Sequence, residues 1–407
     1  MNIRIEPGVT TGRVTAPPSK SMAHRLLIGA GLSEGVSRIA GIAPNEDVLA
    51  TIDCLNALGA KCTLSGDTVT VQGVNPKKSA PSTPLGCRES GSTLRFFIPL
   101  ALLGEQKIAF TGSDTLLSRP LGVYADLCEK QKLFFSRENG KVTVGGPLSP
   151  GRFDIPGDIS SQFITGLLFA LPLLEADSVL RLIPPVESRS YIDLTLSALA
   201  AFGVKAHWQD DYTLLIPGNQ RYRAADKTVE GDYSGAAFFG ALSVLNSEIE
   251  IAGLDPDSLQ GDRVYARHLA AIAAGTPTID ITDCPDLGPV LFAAAAAKQG
   301  ATFTGTRRLK IKESDRAAAM AEELKKFGTV VTVNEDSVVV DPVDFHRPNA
   351  TLFGHNDHRI VMSLAVLLTL TGGEMKGAEA VCKSFPDFFH KLSALHIPVK
   401  EVISDET

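Results

Sequence analysis

Basic side chains stand at the starts of apolar segments in this chain, and their types suit the handling of anions. Lys20 and Arg25 flank one such start, Arg95 lies in the next, and Arg119 precedes Pro120. Lys312 and Arg316 bracket the run KESDR, Arg359 follows Asn356, Asp357 and His358, and Lys383 precedes Ser384, Phe385 and Pro386. Arginine forks match phosphate and carboxylate oxygens in pairs, and lysine supplies a compact charge whose pKa responds to burial. The set therefore points to doubly anionic substrates. Ser160, Ser161 and Gln162 add hydroxyl and amide groups at a segment start. Asp286 and Glu313 are the carboxylates placed to move protons, since a carboxylate among cations works as general acid or base when its geometry and pKa suit the proton. Taken locally, each also has a plainer reading: Asp286 and Ser160 as helix caps, Glu313 as a solvent-facing acid.

These residues need elements to hold them, and the chain supplies a repeating one. A small polar cluster followed by an Ala/Leu-rich segment of helical length occurs six times, at Ser21, Ser90, Ser160, Ser234, Asp286 and Asp357. Successive offsets are 69, 70, 74, 52 and 71 residues. A second pattern, an amphipathic segment and then two β-rich runs about a polar turn, is clear from Leu55, Leu196 and Leu324 and weaker from Leu127 and Leu392. It is weakest near 270–280, beside the shortened interval. Six units of about 70 residues account for nearly the whole chain. Helices opening on Ser, Asp or Asn carry partial positive charge at their N-termini, and several such termini together favour an anionic ligand.

Composition narrows the class. The chain has 407 residues, 44% hydrophobic and 21% charged, so it folds and can form two to three domains. A net charge of -7 argues against broad binding to nucleic acid or an anionic membrane surface. The six cysteines include no CxxC pair and have no His at zinc-finger spacing, so neither a metal site nor a disulfide framework is expected. With no apolar leader at Met1 and no apolar run long enough to span a bilayer, a reducing, cytoplasmic setting is expected. GxxxxGK[ST], GxGxxG after a strand, GxSxG and HExxH are all absent, which leaves noncovalent acid/base and electrostatic catalysis.

Eight blocks in order carry a resemblance: PSKSMAHR at 18–25, SRP at 118–120, GDISSQ at 157–162, SRSYID at 188–193, EGD at 230–232, KESDR at 312–316, NDHR at 356–359 and KSFP at 383–386. Together they make the sequence resemble the 3-phosphoshikimate 1-carboxyvinyltransferases, or EPSP synthases, across almost its full length. The resemblance implies an α/β (α+β) fold of two similar domains, each of three βαβαββ units forming an inverted barrel, with a substrate cleft between them. The first domain is placed at 15–228 and the second at 1–14 plus 229–407, with crossings near Val14–Pro17 and Lys227–Glu230.

The implied reaction transfers the enolpyruvyl group of phosphoenolpyruvate to the 5-hydroxyl of shikimate 3-phosphate, on the route to chorismate and aromatic amino acids. It needs no metal or organic cofactor. By resemblance Lys20, Asp286 and Glu313 are catalytic. Shikimate 3-phosphate falls to Lys20, Ser21, Arg25, Ser160, Ser161, Gln162, Ser188, Tyr191, Asp286 and Lys312. Phosphoenolpyruvate falls to Lys20, Gly91, Arg119, Gln162, Arg316, Arg359 and Lys383. Gly91 keeps the pocket that glyphosate occupies in this family. The two substrates are the expected partners, with no nucleic acid or membrane, and a monomer is the family default.

Two departures from the family pattern bear on affinity. Glu89 stands where an Asn is usual, a charge that would repel phosphoenolpyruvate unless a cation such as Arg88 neutralises it, and Arg308 replaces a polar or acidic residue before KESDR. They motivate one alternative, a catalytically altered relative that binds a phosphorylated metabolite. A second, the UDP-N-acetylglucosamine enolpyruvyl transferase, shares the repeats but carries a catalytic Cys in a loop and lacks the KESDR and SSQ patterns.

Overall fold

A computed structural model describes residues 1–402. The chain divides into two compact units, Pro18–Glu230 and Met1–Pro17 with Gly231–Thr407. The divisions fall slightly later than the expected 14/15 and 228/229, for a reason visible in the strands. Strand Thr11–Thr15 runs parallel to Glu248–Ala252, with Thr15 opposite Ala252, so residue 15 stays with the second unit. Lys227–Thr228 pairs with Ile39–Ala40, and Val229 N–H donates to Ala40 O at 2.9 Å, which keeps Val229 in the first unit. Each unit has its own apolar core, one built around residues such as Leu27, Phe97 and Phe169, the other around Phe239, Phe292 and Leu364.

One supersecondary pattern builds both. Strand Arg152–Pro156 leads into helix Ser161–Ala170 and strand Ser178–Ile183, then helix Arg189–Ala201 and the strands His207–Trp208 and Thr213–Ile216. The first two strands are parallel, the second pairs antiparallel with the last, and the third lies outermost. Parallel neighbours need a crossover and antiparallel ones need only a turn, hence a helix between the first pair and a tight turn between the last.

The same order recurs in four other four-stranded sheets. In one, the first strand is Lys227–Thr228 from the far end of its unit; in another, the N-terminal strand Asn2–Ile5 lies between Gly373–Lys376 and Val399–Glu401. The fourth repeat, that of Ser234, is shorter. Among the described residues, Thr11–Thr15 and Glu248–Ala252 form a two-stranded sheet with no hairpin added. This is the interval of 52 residues, where the β-rich pattern fades.

The first helix of each repeat is apolar nearly all round, as in Tyr233–Leu245, Gly288–Ala296 and His358–Thr371, and so is buried. Polar chemistry is left to the N-termini. Ser19, Ser90, Ser160, Asp232 and Asp357 each cap such a helix by accepting a backbone N–H.

Candidate active site

In the unit Pro18–Glu230, side chains from three repeats are tied together at helix starts. Lys20, at the start of helix Lys20–Gly31, donates to Asp47 Oδ2 at 2.7 Å; Asp47 lies in the first turn of helix Glu46–Ala57. His24 Nδ1 meets Thr51 Oγ1 at 2.7 Å, Thr51 meets Thr93 at 2.9 Å, and Thr93 donates to the capping Ser90 at 2.8 Å. Burial, with Lys20 and Arg25 adding like charge, holds the His24 imidazole well below its usual range, so it works here as a neutral link.

Arg25 is 3% exposed and donates to Thr195 Oγ1 at 3.0 Å, Ser21 O at 2.7 Å, Tyr191 O at 3.0 Å and Thr165 Oγ1 at 3.4 Å. All four acceptors are neutral oxygens. Burial lowers its pKa to about 10, with Tyr191 opposing. A buried guanidinium held only by neutral groups is stabilised when an anion arrives. Ser160 accepts from Gln162 N–H at 3.3 Å. Ser188 is fully buried in the left-handed region (φ 56°) and makes no side-chain cap to helix Arg189–Ala201.

Beside this lies a second group. Arg95 donates to Gln162 Oε1 at 2.6 Å, and Gln162 Nε2 donates to Ser92 Oγ at 2.9 Å. Gly91 faces them: a Cβ built there would sit 2.7 Å from an Arg119 nitrogen, 3.4 Å from Arg95 and 3.7 Å from Gln162 Oε1. Gly91, Arg119 and Gln162 thus lie together. The Arg88 guanidinium pairs with Glu46 and Asp53, which lie on one face of the neighbouring helix.

The other unit carries a denser ionic cluster centred on Asp286. Its carboxylate accepts from Lys312 Nζ at 3.2 Å, Arg316 NH1 at 2.8 Å and Arg359 NH2 at 3.0 Å. Asp286 is therefore not a helix cap: it lies in the short turn Pro285–Leu287, and the helix that follows has no side-chain cap. Arg316, 1% exposed, also donates to Glu313 Oε2 at 2.7 Å and to Asp357 Oδ2 at 2.9 Å. Burial alone would lower the Arg316 pKa, but Asp357, Glu313 and Asp286 raise it beyond its ordinary value.

Lys312 goes the other way. Burial lowers it, Asp286 resists, and the charges of Arg308 and Arg316 lower it further. Arg308 is 6% exposed and so acts from inside the protein. Lys383 is more open and donates to Asn356 O at 2.6 Å. The sequence reading gave Asp47 and Asp357 no site role, and it named Arg95 among the cations without assigning it a substrate. Asp47 reads as an ordinary acid in a first helical turn and Asp357 as a cap, and both tasks are real. Only the fold shows that Lys20 and Arg316 share them.

A separate group, Glu322, Glu323 and His355, has metal-ligand types within 4.8 Å. The Glu323 carboxylate there is already met by Lys326 Nζ at 2.8 Å, Phe353 N–H at 2.9 Å and His355 Nε2 at 3.0 Å.

The family model for EPSP synthase (3-phosphoshikimate 1-carboxyvinyltransferase) matches residues 6–392. A curated relative from Clostridium beijerinckii, named 3-phosphoshikimate 1-carboxyvinyltransferase, is 39% identical over 416 residues, covering 95% of this chain and 96% of its own. One from Clostridium kluyveri with the same name is 39% identical over 414 residues, covering 97% of each. Among solved structures, an EPSP synthase from Acinetobacter baumannii superposes with a TM-score of 0.80 at 23% identity, over 99% of this chain and all of that one. The enolpyruvyl transferase NikO from Streptomyces tendae gives 0.79 at 14% identity, over 98% of both. At these identities the two structures speak to the fold alone. No described helix is long and apolar enough to cross a membrane.

Proposed function

Because the chain belongs to the EPSP synthase (3-phosphoshikimate 1-carboxyvinyltransferase) family, we propose that it transfers the enolpyruvyl group of phosphoenolpyruvate to the 5-hydroxyl of shikimate 3-phosphate and releases phosphate. The observation that carries the reading is the pairing of acids with cations at Asp286, Glu313 and Lys20. Carboxylates set among cations can take and return protons, which addition and elimination both need. A transferase specific for UDP-N-acetylglucosamine is disfavoured by the presence of KESDR and SSQ.

Addition begins when the methylene carbon of phosphoenolpyruvate takes a proton and C2 becomes electrophilic. The 5-hydroxyl oxygen attacks C2 and its proton passes to a base, giving a tetrahedral adduct. Breaking the C2–O bond to phosphate, with loss of a methyl proton, restores the enol. Glu313 and Asp286 hold and return these protons, with Lys20 assisting. Arg25, Ser21, Ser160, Ser161, Ser188 and Tyr191 take shikimate 3-phosphate, together with Lys20, Asp286 and Lys312. Gly91, Arg119, Arg316, Arg359, Lys20 and Lys383 surround phosphoenolpyruvate, with Gln162 serving both substrates. The guanidinium groups of Arg25, Arg316 and Arg359 lie in buried positions before reaction, so charge moving onto phosphate is met without reorganisation.

The test is a 31P NMR time course with both substrates and with each alone. With both, phosphoenolpyruvate should disappear and one phosphate should appear per enolpyruvyl ether formed; neither substrate alone should react. Glu313→Ala and Lys20→Ala should slow the reaction about 10²- to 10⁴-fold, the usual worth of a positioned acid or base. Phosphate from phosphoenolpyruvate alone would mean a phosphatase and end the reading.

A further inference from the structure

We propose that Asp262 is a positioning residue for this reaction, a buried carboxyl that by gaining or losing its own proton sets how strongly Arg359 holds an anionic substrate. The proposal rests on the reading of Arg359 as a phosphoenolpyruvate ligand.

Asp262 lies in the turn Gly261–Val264 and is 2% exposed. One oxygen, Oδ2, accepts from the hydroxyl of Ser234, in the first turn of helix Tyr233–Leu245. The other, Oδ1, is buried with no hydrogen-bond partner. The loop holding it cannot swing outward freely. Gln260 accepts from Tyr233 N–H at 3.0 Å and donates to Gly231 O at 2.8 Å, which straps the loop to the helix start.

The charged and titratable groups bearing on Asp262 are Asp286 from the turn Pro285–Leu287, Arg359 from the first turn of helix His358–Thr371, Asp232 from the cap of helix Tyr233–Leu245, and the neighbouring Cys284 thiol, which His268 of helix Tyr265–Ala274 meets in turn at 3.9 Å. Arg359 is 6% exposed; it donates through NH2 to Asp286, and its Nε–H is buried and unpartnered.

A half-satisfied carboxylate in such a place is costly, and a neutral carboxyl much less so. Burial, then Asp286, push Asp262 up to about 7; Arg359 and Ser234 pull it down and Asp232 pushes it further up. Below that pH the guanidinium of Arg359 answers mainly to Asp286. Above it, a second buried negative charge competes with any anion for the same cation. Linkage makes the effect reciprocal: an anion bound at Arg359 draws a proton from water onto Asp262.

The test follows KM for phosphoenolpyruvate from pH 6 to pH 9 in wild type, Asp262→Asn and Ser234→Ala. Dividing by the Asp262→Asn profile cancels the ionisation of the substrate itself. Wild-type KM should then rise on the order of tenfold through neutrality, as expected for one added charge near a buried anion site. Ser234→Ala removes a hydrogen bond that steadies the ionised form, so its rise should move to higher pH. Carboxyl 13C NMR of Asp-labelled protein gives a readout independent of turnover. A resonance absent from Asp262→Asn should titrate near neutrality and move to higher pH when inorganic phosphate is added. A flat KM ratio, or a resonance titrating below about pH 5, the ordinary carboxylate side, overturns the proposal. Were the protein to transfer no enolpyruvyl group, the proposed function would fall while the NMR titration would still decide the proton on Asp262.

Discussion

At Gly91 a missing side chain decides where a guanidinium group lies. Arg119 occupies the space that a Cβ would need, its nitrogen 2.7 Å from it, with an Arg95 nitrogen in ordinary contact at 3.4 Å. Arg119 is the far end of a flexible side chain, so Gly91→Ala should leave the fold intact and move the charge. Its expected effect is a rise of about tenfold in KM for phosphoenolpyruvate, near 1.4 kcal/mol, with a much smaller change in kcat and an unchanged Tm. Initial-rate kinetics check it, and an unaltered KM would remove Arg119 from the binding set. Residue types were legible in the sequence at this scale, since guanidinium, ammonium and carboxylate at helix starts announce anion chemistry. Partners were not. Nothing in the spacing shows that Arg88 is spent on Glu46 and Asp53, or that Asp286 serves three cations at once.

Helix Gly91–Ala101 shows how an element aims its residues. Pro99 has no N–H for the carbonyl four residues earlier, which belongs to Arg95. Buried Tyr124 fills the gap, donating to Arg95 O at 2.7 Å, with Phe163 O at 3.2 Å sharing the hydroxyl. Gly166 makes room, since a Cβ there would stand 2.5 Å from both the Arg95 oxygen and the Tyr124 hydroxyl. Tyr124→Phe leaves the carbonyl unpaired in a dry interior and should cost about 1–3 kcal/mol, read from denaturant unfolding with an unchanged m-value. A loss below about 0.5 kcal/mol would mean that water or a backbone shift replaces the hydroxyl. Periodicity revealed this helix and its apolar faces. It could not reveal the repair at Pro99, because the repairing residue comes from another helix.

Over the whole molecule, the six polar starts and the β-rich runs laid out the repeats, and the short interval marked the one that lacks its hairpin. Its strand edge is closed partly by a side chain: Ser243 Oγ accepts from Ile249 N–H at 3.2 Å and donates to Ile249 O at 3.3 Å. The closing of the last sheet by Asn2–Ile5 was beyond sequence reading, because it pairs residues nearly the whole chain apart. Two cation clusters, one on each unit, are read as serving one reaction, and that is the central claim. Its most direct test is the initial rate of phosphate release with both substrates present, compared among wild type, Arg25→Ala and Arg359→Ala. The account predicts release from wild type only with both substrates, and a loss of about 10²-fold or more in kcat/KM from either substitution, the usual cost of removing one partner of a buried charged contact. Full activity after losing either arginine would contradict it, since one unit's cluster would then be dispensable.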